Sequence, residues 1–176
     1  MNIVIGLGNP GQAYQSTRHN IGATFVKKLA GSVQWQDNSS SQLQVATSVD
    51  RSTTYILPQT YMNESGKAIL YIKKKFPKLQ PEELYVFHDD LDIAVGSWKL
   101  QYAKGPHEHN GLLSLYQAWG SKDFWHVRIG VDGRQNGRVV TGKDYVLQSF
   151  APTELALLDQ AYLDLQDQLQ SQLQSD

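Results

Sequence analysis

Apolar positions along this chain fall into short runs and spaced stripes that alternate. Asn2-Ile3-Val4-Ile5, Leu43–Val49, Thr53–Leu57, Leu84–Phe87, Gly96–Tyr102 and Trp125–Val131 are short, rich in β-branched or aromatic residues, and read as strands. Between them lie helical stripes. Ile21, Phe25, Val26 and Leu29 share one face, as do Ala68, Ile69, Ile72 and Phe76, and then Leu112, Leu115, Tyr116 and Trp119. Strand and helix alternating in this way predict an α/β fold. We expect a single-domain three-layer sandwich over residues 1–176, with a mixed, largely parallel sheet flanked by helices.

From Pro152 onward, Leu155, Leu158, Tyr162, Leu165 and Leu169 recur at helical spacing and predict a C-terminal amphipathic helix. Its apolar stripe must be covered. Beside a binding groove the helix would act as a lid, and on the sheet it would be ordinary packing. The Gln- and Ser-rich residues 171–176 are expected to fray.

Four polar stretches interrupt the pattern: Asn9–Asn20, Gln59–Gly66, His88–Asp92 and Lys104–Gly111. Three follow strands and the fourth precedes a helix. Ligands of open α/β sheets bind beyond the carboxyl ends of the strands, so the four are expected to converge. The first contains Gly6-x-Gly8-x-x-Gly11, which fits a dinucleotide fingerprint. That fingerprint needs a helix opening at the glycines, and Gly11–Ser16 has no apolar helical period. The dinucleotide reading is set aside.

Composition narrows the chemistry. The chain has no cysteine, which excludes disulfides, thiolate metal sites and a cysteine nucleophile. No apolar run approaches the ~20 residues needed to span a bilayer. The sequence opens directly into a strand pattern rather than a secretory signal, and a cytoplasmic location is expected. A net charge of −1 argues against a general nucleic-acid binder. A local basic patch from Lys99, Lys104, Arg128, Arg134, Arg138 and Lys143 could still hold a phosphate backbone.

The converging stretches supply His19, Asp89, Asp92, Asn9, Asn63, Asn110, His107 and His109. A histidine held by an aspartate can accept a proton near neutral pH, and asparagines can hold an ester or steady an oxyanion. There is no Gly-x-Ser-x-Gly elbow. Water activated by a His–Asp pair suits a substrate with a good leaving group, such as an ester. A rival reading takes His88-Asp89-Asp90 and His107-x-His109 as ligands of a metal-dependent esterase, although no spacing matches a zinc helix motif. A third takes Asp89 and Asp90 as turn caps and His107 and His109 as exposed loop residues.

Taken together, Gly6–Gly22 (GLGNPG-x-x-Y-x-x-TRHN-x-G), Pro58–Gly66 (P-x-T-Y-M-N-x-S-G), His88–Gly96 (HDDLD-x-x-x-G), His109–Gly111, Arg128–Gly130 and Tyr145–Phe150 resemble the bacterial-type peptidyl-tRNA hydrolases. The resemblance covers nearly the whole chain. It implies a monomeric, cofactor-free, metal-free enzyme that cleaves the ester between a peptide and the 3′ ribose of tRNA. By motif, His19 would be the general base and Asp89 its orienting partner. Asn9 would help distinguish N-blocked from free aminoacyl substrates, and Tyr14, Tyr61, Asn63 and Asn110 would line the groove. Lys99, Lys104 and Arg128 are expected to meet tRNA phosphates. A catalytically silent RNA-binding relative is the alternative. Three departures touch the rim and the tRNA-facing surface: Leu57 replaces a usual lysine, Gly105-Pro106-His107-Glu108 replaces a glycine-rich run, and His126 stands where arginine is common.

Overall fold

The computed structural model describes residues 1–134 and 140–173. Arg138, one member of the basic set, lies outside the described residues. A seven-stranded sheet runs in the order β2-β3-β4-β1-β5-β7-β6. Its centre is parallel: β1 (Asn2–Gly6) lies between β4 (Thr53–Pro58) and β5 (Leu84–Ala94), and β5 pairs in turn with β7 (Trp125–Asp132). The outer strands β2 (Gln36–Asn38), β3 (Leu43–Thr47) and β6 (Trp98–Tyr102) run antiparallel to their neighbours.

Central strands buried on both faces explain the near-continuous apolar runs. Alternate side chains go to opposite layers. Val4, Tyr85, Phe87, Val127 and Ile129 pack with α1 (Ile21–Ala30) and α5 (Pro152–Leu173). Ile3, Ile5, Ile56 and Val86 pack on the other side with α2 (Lys67–Lys75) and α3 (Asn110–Trp119). Helix α1 comes unusually close to β5 because Gly22 has no side chain. A Cβ there would lie 2.2 Å from the Phe87 oxygen.

The C-terminal helix packs on the sheet. Leu158, Tyr162, Leu165 and Leu169 are buried in the α1-side core, while Leu155 is exposed. Its apolar face is therefore used for packing, not for closing a groove, and the helix runs through Leu173. The His88–Asp92 stretch also differs from a loop: it lies inside β5, whose register with β7 slips between Asp90 and Ala94. His88, Asp89 and Asp90 continue the strand because each finds a buried partner. No helix among the described residues is long and apolar enough to cross a membrane.

Candidate active site

Parallel register sets Gly6 opposite Phe87, so the loop leaving β1 and the far half of β5 rise side by side. The first three of the four expected stretches meet the fourth around one groove of ≈ 1110 Å³. Asn9, His19, Tyr61, Asn63, Asp89, Asp92, Glu108, His109 and Asn110 line it. Tyr14 stands one layer back, with its ring edge-on to Tyr61 at 6.4 Å.

Thr17 and Arg18–Asn20 form a short 3-10 turn directly before α1. Two backbone bonds fix it: His19 N–H to the Val146 oxygen at 2.8 Å and Arg18 N–H to the Gln148 oxygen at 3.0 Å. His19 therefore enters the groove from a strapped backbone. Its Nδ1 lies 2.8 Å from Asp89 Oδ1.

The same oxygen receives His109 Nε2 at 2.9 Å. His109 is the N-cap of α3, and its Nδ1 accepts the Leu112 N–H. That leaves the proton on His109 Nε2, pointing at Asp89. Asp89 is buried, and burial alone would raise its carboxyl. The charges and hydrogen bonds of His109 and His19 outweigh this and hold it well below the usual carboxylate range. An ionised Asp89 accepts a hydrogen bond from His19 Nδ1–H, so His19 Nε2 carries the free lone pair. A proton acceptor thus faces the groove.

Ligand atoms of His19, Asp89 and His109 lie within 4.8 Å of one another, close enough to be weighed as a metal site. Their contacts are already filled by N–H donors, and Leu112 fixes the tautomer of His109. The donor set fits a hydrogen-bonded triad rather than a cation. Neither His88 nor His107 joins it: His88 is turned to the opposite layer and His107 is exposed at the rim.

Asn9 is held in a fixed orientation. Its Oδ1 accepts the Met62 N–H at 2.8 Å, and its backbone is bracketed by Asn20, whose Oδ1 accepts the Asn9 N–H and whose Nδ2 donates to the Asn9 oxygen, both at 2.9 Å. The side-chain amino group is left as a donor at the groove. Asn63 and Asn110 are exposed, one in the 3-10 turn Met62–Glu64 and the other opening α3.

Sequence reasoning missed one wall. Thr141, the short helix α4 (Gly142–Tyr145), Val146 and Leu147 close the groove opposite Asn110 and Leu113. It is anchored by Arg18. The guanidinium lies between the rings of Tyr145 (4.2 Å) and Phe150 (4.7 Å), donates to the Val131 oxygen at 3.0 Å and pairs with both carboxylate oxygens of Glu154 at 3.0 and 2.7 Å. Arg18-His19-Asn20 is thus one unit in which the flanking residues brace the central one.

The basic residues divide. Lys99 on β6, Lys104 before α3 and Lys143 on α4 are exposed. Arg128 is not among the cations open to a phosphate: it is buried, with Nε 2.7 Å from Asp90 Oδ2 and Nη1 2.6 Å from Gln101 Oε1. Arg134 is engaged by Asp132 at 2.7 Å.

This order of motifs and this geometry have known counterparts. The sequence profile of the family described as peptidyl-tRNA hydrolase matches residues 3–176. The chain belongs to the peptidyl-tRNA hydrolase family. Among curated relatives, the peptidyl-tRNA hydrolase of Nitrosospira multiformis is 38% identical over 93% of this chain and 86% of its own length. That of Mycobacterium tuberculosis is 42% identical over 88% and 81%. The crystal structure of peptidyl-tRNA hydrolase from Acinetobacter baumannii superposes with a TM-score of 0.85 at 30% identity, covering 99% of this chain and 89% of that one. The seven-stranded, mostly parallel architecture is thus the hydrolase fold.

Proposed function

We propose that this chain hydrolyses the ester joining a peptide, or an N-blocked amino acid, to tRNA, releasing free tRNA and a peptide carboxylate. Family membership supports the reaction class. The observation that carries the residue assignment is the commitment of His19 Nδ1 to Asp89, which turns a bare Nε2 toward the groove.

In this reading His19 Nε2 takes a proton from water as the water oxygen bonds to the ester carbonyl carbon. Asp89 steadies the imidazolium, with His109 holding Asp89 in place. The ester C–O bond then breaks, and the proton passes from His19 to the ribose oxygen that leaves. Asn9, through its amino group, would meet a carbonyl of the blocked amine, which a free α-amino group lacks. Tyr14, Tyr61, Asn63 and Asn110 would seat the peptide and the 3′ end. Lys99 and Lys104 would meet phosphates, joined by Lys143 at the groove wall. No cofactor is required by these steps. The enzyme would act as a cytoplasmic monomer on peptidyl-tRNA.

A silent RNA-binding relative is the second reading. The complete set of Asn9, His19, Asn63, Asp89 and Asn110 around one groove favours the enzyme. Turnover of N-acetylaminoacyl-tRNA and of unblocked aminoacyl-tRNA, each with and without chelator, tests this. We expect release from the blocked substrate only, unchanged by chelator. Tight binding without release would support the silent relative. Equal release from both would remove the role given to Asn9.

A further inference from the structure

On the face of the sheet opposite Asp89, β5 and β7 bring two buried imidazoles together. His88 Nδ1 is 3.0 Å from the backbone oxygen of Asp89. His88 Nε2 is 3.3 Å from His126 Nδ1, and His126 Nε2 is 3.3 Å from the backbone oxygen of Lys122. The rings form a wire between two carbonyl groups. Phe124 stacks on His126 at 4.6 Å and seals its flank.

Counting hydrogens shows what the wire lacks. Two neutral imidazoles carry one N–H each, whereas the three contacts need three hydrogens. Any neutral arrangement therefore leaves one contact in which a nitrogen lone pair faces an oxygen or another lone pair. One added proton turns all three contacts into hydrogen bonds and gives the pair a single positive charge. We propose that His88 and His126 are a proton-sharing pair, binding one proton between two rings on acidification, and that through the His88–Asp89 bond the pair positions the peptide unit carrying the catalytic carboxylate.

The open contact belongs at the outer end. An unpaired polar group costs most where water is excluded. The inner end lies among fully buried groups, while Lys122 is exposed. Both rings then carry their hydrogen on Nδ1, the less common form of a free histidine, and the proton enters at His126 Nε2.

The surroundings decide how many protons follow. Burial comes first, and with it repulsion from His109 at the α3 cap and from Arg128 and Lys122 on and before β7; together these hold both rings below the ordinary histidine value, His126 at about 4. Asp89 is engaged by two histidines, and Asp90 by Arg128. The Tyr116 ring from α3 lies 5.8 Å from His126, with its hydroxyl pushed up to about 12 by burial and so neutral. A second proton would place two charges in adjacent rings with no carboxylate left to answer them. The pair accepts one.

The positioning part rests on the reading of His19 and Asp89 given above; the proton count does not, and it is read without substrate. The test is nitrogen NMR of the full chain labelled with 15N-histidine, titrated from neutral pH to below about 4. We expect His88 and His126 both as Nδ1–H forms at neutral pH, and one proton taken up by the two rings together at the acid end of the titration. An Nε2–H form of His88, or a full proton on each ring, would overturn the shared site. For positioning, kcat per folded molecule on blocked aminoacyl-tRNA is compared in His126→Gln and His126→Arg. The amide cannot donate to both neighbours as the longer guanidinium can. A several-fold loss of kcat at constant KM in the first, with recovery in the second, is expected. Unchanged kcat in His126→Gln, or equal loss in both, would remove the positioning role.

Discussion

His109 and His19 share one acceptor: both donate to Asp89 Oδ1, at 2.9 and 2.8 Å, with their rings 4.9 Å apart. The carboxylate thus answers to two imidazoles, of which one faces the groove and the other is locked by the helix it caps. This ranks their variants. His19→Ala removes the acceptor itself and should lower turnover ~10²–10⁴-fold, the usual worth of general-base catalysis, with tRNA affinity nearly intact. Asp89→Asn should cost less, since a base remains but is poorly oriented. His109→Asn should cost least, because His19 still finds its carboxylate. Single-turnover rates on N-acetylaminoacyl-tRNA give the order, and a near-normal His19→Ala would defeat it.

Affinity for substrate should fall as salt rises, because each lysine on a phosphate releases counterions. Few exposed cations border the groove, so the slope should be shallow, on the order of two to four contacts. Lys104→Ala should reduce that slope by about one. Salt-independent binding would mean that Lys99 and Lys104 face only solvent.

Arg128 should behave differently. Its guanidinium compensates Asp90, whose side chain is wholly buried. Arg128→Ala leaves that charge uncompensated and should destabilise the fold by about 3–5 kcal/mol. Urea titration measures this. Loss of tRNA affinity with an unchanged denaturation midpoint would place Arg128 back at the phosphate surface.

Stability should decline on mild acidification. The folded value of His126 is about 4, below the ordinary histidine value of 6.5, and His88 is shifted the same way. Above the unfolded value neither state binds a proton, and the contribution is fully present. Between 6.5 and about 4 the unfolded chain binds protons that the folded one refuses, so stability falls, by up to ~3 kcal/mol for His126. Asp89, also held low, loses its contribution only at more acid pH. Urea midpoints at a series of pH values between these limits report the loss. A flat profile there would show that the rings charge freely inside the fold.

The alternation of runs and stripes was enough to place the central strands and the four principal helices, since burial on both faces writes itself as apolar sequence. It failed where polar residues are buried. His88, Asp89 and Asp90 read as a loop, yet they continue β5 because His126, His109 and Arg128 satisfy them from neighbouring elements. Arg128 read as a surface cation for the same reason. That His19 and Asp89 meet was legible, because each stands in a polar stretch placed at the end of a strand and such ends converge. The share of His109 was not, since it depends on which ring nitrogen Leu112 occupies. Nothing local marks the Arg18–Glu154 pair, whose members are 136 residues apart.

That separation has a consequence for how the enzyme comes into being. The histidine emerges from the ribosome well before its backbone strap at Val146 and the anchor of that strap at Glu154. A chain still under synthesis is itself a peptidyl-tRNA. It holds His19 without the brace, and the two meet only when helix α5 has begun to form.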